Sequence, residues 1–452
     1  MSGLLQWLVA LAVVTELVAI CLDHQQLSAL AGLMFITAFL LGTGRLQGYA
    51  RILLVVALAV LAGLTWHGSL DTGQLLKAAS DAAFYSAFLG SLGMMQCLVR
   101  RFEVLRRIHD VLLGGKPVLL YPKYALVSCG VATVLSFGMM NLLCGSLSET
   151  LRERGIIGES RLQWLRSVLI SALRGFALVP LVAPTSVAVA ILTRELPQLS
   201  WSQLLPFGVV AAILMVLIGW VLEQGRFRKV SSERMAVEGW LPGTGRLLFL
   251  ILLVFTVMAG LVATTGFKVS VAAMLSVPAV TLLYMLLQER RLMPVLREGA
   301  GQVWAMQNEM AIFAASAILG VALSAVIPAD ALAGLVATGS GVFLVAVVGM
   351  LMLPMLSMIG IIPITVLSVQ AGLLPQLVAE GMALLPVAVA LVIGFSLAMM
   401  LSPFGPSVML LSRFGQISRW VVAFRWNGLF ALIALPVLLV LTALVAWLAP
   451  GQ

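Results

Sequence analysis

Two stretches of the chain decide how it is read: LRGFALVPLVAPTSVAVAILTRELPQLSW, from Leu173 to Trp201, and VIGFSLAMMLSPFGPSVMLLSRFGQISRW, from Val392 to Trp420. Laid over one another without a gap, they match at Gly175 and Gly394, Phe176 and Phe395, Leu178 and Leu397, Pro184 and Pro403, Arg194 and Arg413, and Trp201 and Trp420. Each is an apolar run of membrane-crossing length, interrupted by Pro184 in one copy and by Pro403 with Gly405 in the other. Proline removes an N–H from the helical ladder and strands a carbonyl one turn back. At bilayer depth such groups are tolerated only where they are buried in protein or line a cavity. Interrupted apolar segments at matching places in two halves point to the binding site of a secondary transporter. The competing reading is a pair of kinked packing helices in a duplicated membrane protein.

Composition sets the class. Hydrophobic residues make up 62% and charged residues 10%, and mean hydropathy is +1.11, against the ~25% charge of a soluble domain. Apolar runs of the ~20 residues needed to cross ~30 Å of hydrocarbon recur throughout, so an all-α polytopic membrane protein is expected. The net charge of +9 belongs to loop Lys and Arg that set topology and meet anionic lipid, not to a nucleic-acid surface. No nucleic-acid partner is expected. Gly42, Gly44 and Gly48 follow no strand and have the wrong spacing for a dinucleotide fingerprint, and no P-loop is present. The residues form no metal cluster or nucleophilic triad, so no enzyme activity and no cofactor are expected. Cys21, Cys97, Cys129 and Cys144 all fall in apolar segments and read as buried free thiols.

Spans are expected at about 4–21, 27–43, 51–67, 81–99, 166–194, 203–222, 246–264, 269–287, 308–327, 384–412 and 427–448. Two further apolar stretches, 122–147 and 335–372, read as re-entrant hairpins because of charge. With both as hairpins, every Lys and Arg except Lys77, Arg194 and Lys268 falls on the cytoplasmic side, as the positive-inside rule requires. The N-terminus is then cytoplasmic, the C-terminus outside, and the protein sits in the cell membrane, with a bacterial inner membrane expected. Residues 27–222 and 246–452 follow the same order of elements from opposite sides, as inverted repeats. Residues 1–26 form an extra helix, and 223–245 a cytoplasmic linker. The hairpins share a weaker likeness, VLSFGMMNLLCGSLSE from Val134 against MLSMIGIIPITVLSVQAG from Met355, and Asp81 and Glu309 head corresponding elements.

Such a repeat brings hairpin tips and broken helices together near the midplane. The candidate binding residues are Ser136, Asn141, Thr185 and Ser186 in the first half and Ser357, Thr365, Ser402 and Ser407 in the second, around the breaks at Pro184, Pro403 and Gly405. Asn141 stands out, because an amide in an apolar run is costly to bury unless bonded. Half-helix N-termini attract an anion, and freed carbonyls suit Na⁺ at the hairpin tips. The bland reading is that these hydroxyls bond their own backbone or hold helices together. No titratable residue falls in a hairpin core or break centre. The mid-span acid Glu16 sits outside the repeat, where bonding to a neighbouring helix would account for it.

The order of extra helix, three spans, hairpin, interrupted span and final span, repeated inverted, resembles the ion transporter superfamily. Its layout is most similar to the divalent anion:sodium symporters, which carry citrate and dicarboxylates. Ser136 with Asn141 and Ser357 with Thr365 echo, at wider spacing, the Ser-Asn-Thr triplets of that family's hairpin tips. Ala183 to Ser186 and Ser402 to Ser407 resemble its helix breaks. The resemblance implies transport of a small organic anion coupled to Na⁺ or H⁺. It further implies a homodimer in which a static scaffold, here about 27–67 and 246–287, supports an elevator-type transport domain. The alternatives are a cation/proton antiporter of the same superfamily, or a non-transporting scaffold or assembly subunit.

Overall fold

The computed structural model describes residues 2–102, 116–135, 145, 147, 158–230, 244–327, 339–379 and 382–448. Among these the protein is all helical. The helices are α1 (Ser2–Cys21), α2 (Gln25–Leu41), α3 (Gly48–Trp66), α4 (Thr72–Gly93), α5 (Met95–Val99), α6 (Leu120–Leu135), α7 (Gly158–Ala177), α8 (Val179–Val182), α9 (Val187–Glu195) and α10 (Trp201–Val230). They continue as α11 (Thr244–Thr265), α12 (Val269–Glu289), α13 (Leu292–Ala305), α14 (Gln307–Ser324), α15 (Gly339–Met358), α16 (Pro363–Ala379), α17 (Leu384–Leu401), α18 (Pro406–Gly415) and α19 (Gly428–Leu448). Ten helical stretches among the described residues are long and apolar enough to cross a membrane.

The two interrupted spans form the interior. Of the most apolar windows of 161–195 and 384–415, 89% and 94% of residues are buried. In each half the broken span packs on the first arm of its hairpin, α7 on α6 and α17 on α15. The matched glycines explain how. A methyl group on Gly175 would lie 2.2 Å from the Ala125 carbonyl oxygen, and one on Gly394 would lie 2.4 Å from that of Met350. Only hydrogen fits between these backbones, so Gly175 and Gly394 do the same work in the two copies.

Of the stretch expected at 335–372, the residues described from Gly339 onward form a helical hairpin, with its second arm running on to Ala379. Gly360, at φ +115°, makes the turn, a conformation that favours glycine, and Pro363 opens α16 at its first position, where a missing N–H is harmless. Gln370 Nε2 donates across the turn to the Gly349 carbonyl at 3.1 Å, which fixes the arms as antiparallel. The tip is not half-way along the neighbouring span. The Ile362 N–H donates to Tyr49 Oη at 3.2 Å, level with the first turn of α3. Of the stretch expected as a hairpin at 122–147, α6 covers the part up to Leu135, and the expected tip, with Ser136 and Asn141, lies outside the described residues.

Several boundaries differ from the sequence reading. The fourth element starts at Thr72, not at 81, because Asp71 and Gln74 close a reciprocal capping box. Asp81 is therefore mid-helix and buried, not at the head of its element. The linker expected at 223–245 is helical as far as Val230. Residues 292–305, read as loop, form α13. Cys21 is exposed, whereas Cys97 and Cys129 are buried as expected and Cys144 lies outside the described residues. Arg174, read as a cytoplasmic flank, is buried inside α7. Its guanidinium donates to Asn427 Oδ1 and to the Trp426 carbonyl, both at 3.0 Å. It also lies 3.4 Å from the buried Glu223 carboxylate and 4.3 Å from the Phe430 ring centre. The π-helical turn Val421–Trp426 precedes α19 and presents the carbonyl that Arg174 caps.

Candidate functional site

The two helix breaks and the tip of the second hairpin meet around a cavity of about 50 Å³, room for a few water molecules. Its lining includes Thr185, Ser186, Ile362, Pro363, Gly405 and Ser407, with Phe176 and Phe395, the matched aromatics of the repeat, in its wall. Three helices begin here: α9 at Val187, α16 at Pro363 and α18 at Pro406. The first N–H to bond back within α9 is that of Ala190, to the Ser186 carbonyl. The amides of Val187, Ala188 and Val189 therefore have no earlier carbonyl in the helix to bond. In α18 the first such bond runs from Met409 to Gly405, and proline supplies no N–H at either 363 or 406. Three positive helix ends thus face one small space, and none of the described residues lining it is charged.

The predicted hydroxyls divide sharply. Thr185 Oγ1 donates to the Thr133 carbonyl at 2.5 Å, tying the first break to its hairpin arm. Ser402 Oγ does the same in the second half, to the Ser357 carbonyl at 3.1 Å. Ser357 Oγ bonds back to Leu353 at 2.6 Å and Ser407 Oγ to Met399 at 2.9 Å. Thr365 Oγ1 pairs with Ser316 Oγ at 2.8 Å, away from the cavity. Ser186 differs: it is buried, its hydroxyl has no partner among the described residues, and it lines the cavity. As the residue that caps α9 without a side-chain cap bond, its hydroxyl remains available to a guest. Pro184, Pro403 and Gly405 shape the breaks, and only Gly405 of the three touches the cavity.

A second cavity, about 930 Å³, lies at the other end of α9. It is lined by Glu16, Cys21, Asp23, His24, Lys77, Asp81, Arg194, Glu195, Gly266, Lys268 and Pro375, among others. Lys77, Arg194 and Lys268 are the three basic residues that the topology left outside, and the structure brings all three together. Lys77 Nζ bridges Asp81 at 2.6 Å and Glu195 at 2.8 Å. Arg194 holds Asp81 at 3.0 Å and Ser80 Oγ at 2.9 Å, with its guanidinium 4.8 Å above the Phe84 ring centre. Lys268 Nζ donates to the Thr193 carbonyl. Lys77 and Arg194 resist the inward bias because carboxylates neutralise them. Sequence reasoning missed this cluster, although an acid beside each of two misplaced cations, Asp81 after Lys77 and Glu195 after Arg194, was its signal.

No protein-family model matches the chain, and no curated protein matches it. Its fold is similar to that of the YdaH transporter of Alcanivorax borkumensis, with a TM-score of 0.56, 14% identity, and coverage of 94% of this chain and 100% of that one. The chain is an all-α polytopic membrane protein with the fold of a solved transporter.

Proposed function

We propose that the chain is a secondary-active transporter of a small organic anion, driven by a cation gradient. One observation carries this reading: three helix N-termini converge on an uncharged cavity at the meeting point of two chain breaks. An anion leaving water there would gain several N–H donors and three dipoles in place of its hydration, and Ser186 adds a free hydroxyl. The cavity in this conformation is small, so a dicarboxylate or citrate enters only when the hairpin tip moves from the breaks. Such movement supports an elevator-type cycle, in which Na⁺ or H⁺ supplies the driving force and divalent anion:sodium symporters offer the model. The windows with the fewest buried residues, 17% each, lie in 48–66 and 245–265. Both belong to the proposed scaffold and leave apolar faces for lipid or for a second copy in a homodimer.

Purified protein in proteoliposomes, given labelled succinate or citrate, should accumulate label under an inward Na⁺ or proton gradient and not without one. A ligand screen by thermal shift should find stabilising carboxylates. Failure of every carboxylate in both assays would overturn the reading. Cation/proton exchange without any organic substrate would support the antiporter alternative, which Glu16 favours and the uncharged lining of the smaller cavity does not.

A further inference from the structure

Glu16 is fully buried in α1, with 0% exposure, and neither of its carboxylate oxygens is hydrogen-bonded among the described residues. No cation pairs with it among the described residues, and the bond expected from a neighbouring helix is one that the Ser28 hydroxyl of α2 stands close enough to make. The side chain lines the larger cavity, within electrostatic reach of Arg194 and Asp81. Every other acid in the buried part of that cavity is matched: Asp81 by Lys77 and Arg194, Glu195 by Lys77, with Tyr85 Oη donating to Glu195 at 3.4 Å. An ionised carboxylate held out of water needs a counter-charge, and where none is supplied it takes a proton instead.

The polar and titratable groups that line this cavity with Glu16 come from the elements around it. His24, Gln25 and Ser28 come from the start of α2; Lys77, Ser80 and Asp81 from α4; Arg194 and Glu195 from α9; and Lys268 and Ser270 from the start of α12. On the α13 side the contacts are apolar: Val13 and Val303 both lie against Gly90, and Leu5 and Trp304 against Gly42. The cations in this set are already engaged. Arg194 donates to Ser80 Oγ at 2.9 Å, and Ser80 and Ser28 share a hydroxyl bond of 2.8 Å. When Ser80 donates to Ser28, the hydroxyl hydrogen of Ser28 is released toward Glu16. A line of exchangeable protons then runs from the cavity to the carboxyl.

We propose that Glu16 is a proton-binding site that exchanges with one membrane face, the side read as outside, through this cavity. The step is simple: the carboxylate accepts a proton from cavity water to become the carboxylic acid and returns it by the same route. The side assignment comes from topology, since Cys21, Asp23, His24, Arg194, Gly266, Phe267 and Lys268 all fall at span ends placed there. Transport of an anion is not required for this site to exist; only its use as a coupling site rests on that reading.

The test uses full-length protein in proteoliposomes and dicyclohexylcarbodiimide, which couples to protonated carboxyls in apolar surroundings, with labelled residues read by peptide mass spectrometry. Glu16 should be labelled at about pH 6 and at least about tenfold less at about pH 9, as a carboxyl losing its proton must be. Asp81 and Glu195, held by cations, should stay unlabelled, and Glu16→Gln should remove the adduct. Cys21, exposed and on the cavity rim, offers a native handle. A bulky impermeant maleimide on it should slow labelling of Glu16 at least about threefold, about 0.65 kcal/mol in barrier. Absence of label on Glu16 at every pH, or label independent of pH, would overturn the proposal. So would labelling suppressed by Na⁺ but not choline at fixed pH, which makes Glu16 a metal-cation site. Labelling indifferent to the Cys21 adduct would overturn the access route.

Discussion

The two cavities stand at opposite ends of α9 and are built on opposite plans. At its N-terminus a small space is ringed by uncharged groups and helix ends, and among the described residues every candidate hydroxyl but that of Ser186 is already committed to a protein partner. At its C-terminus a space of about 930 Å³ is crowded with full charges, of which Lys77, Asp81, Arg194 and Glu195 neutralise one another. The first can hold charge only if a guest brings it; the second carries charge of its own and balances it internally. A polar lining alone therefore does not locate a guest site. The unfilled valence does: Ser186 in the smaller cavity, and Glu16 with the Ser270 hydroxyl in the larger.

The sharpest way to break this contrast is to put a charge where the guest should go. Ser186→Asp places a carboxylate among three helix N-termini. Anion uptake should fall at least about a hundredfold, because like charges brought together cost several kcal/mol. Thermal stability should hold or rise, since an acid at a helix start contributes about 0.3–1 kcal/mol. A variant that still transports, or one that unfolds, would mean that the helix ends do not form an anion site.

The walls of the smaller cavity depend on the matched glycines. Gly175→Ala and Gly394→Ala should each cost about 1–3 kcal/mol in detergent unfolding, as overpacked interiors do. Gly63→Ala, where an added methyl meets nothing within 4 Å, should be neutral or gain up to about 1 kcal/mol from helix propensity. Equal effects at all three positions would remove the close-approach explanation.

The matched arginines sharpen the contrast at the charged end. Arg194→Gln deprives the buried Asp81 of one partner and should cost about 1–3 kcal/mol. Arg413→Gln, at an exposed position, should stay within about 0.5 kcal/mol. Paired thermal melts would decide this, and indistinguishable melts would refute it.

The smallest effect concerns Lys268, at the start of α12 and outside the span. Burial, and then the nearby Arg194 charge, push its ammonium below the usual lysine range. The folded chain therefore binds less proton than the unfolded chain between that lowered value and the ordinary one. Stability should accordingly rise as pH climbs through the alkaline window. Lys268→Met should abolish that rise and lift the neutral-pH melting temperature by no more than about 2 °C. A rise that persists in the variant would assign it to another group.

What the sequence disclosed follows the range of each interaction. The breaks at Pro184 and Pro403 are local backbone events, and the register of the repeat made them visible twice. The second hairpin was legible because charges on both flanks constrained its sides. The depth of its tip was not, since that depends on where Ile362 meets Tyr49, a contact that no periodicity encodes. The helix at 292–305 was hidden because Arg297 and Glu298 made it read as loop, although Val295, Gly299 and Val303 share a face. The charged cluster joins residues on α4 and α9 that are far apart in the chain. Lys77 and Arg194 were visible only as exceptions to a topology rule. Which hydroxyl stays free is a rotamer-level fact, so Thr185 and Ser186 looked alike until their partners were seen.

The nine residues of α9 make a rigid rod of about 13 Å. Arg194 and Glu195 fasten its outer end to α4, whereas the matching rod, α18, ends near an exposed Arg413 with no ion pair among the described residues. A sequence that repeats itself has thus produced two levers with unequal restoring forces. Sliding α18 leaves no such bond to break at that end, while drawing α9 away from α4 must break the links of both Arg194 and Glu195. Were the two copies to move, the first would carry a charged latch that the second, among the described residues, lacks.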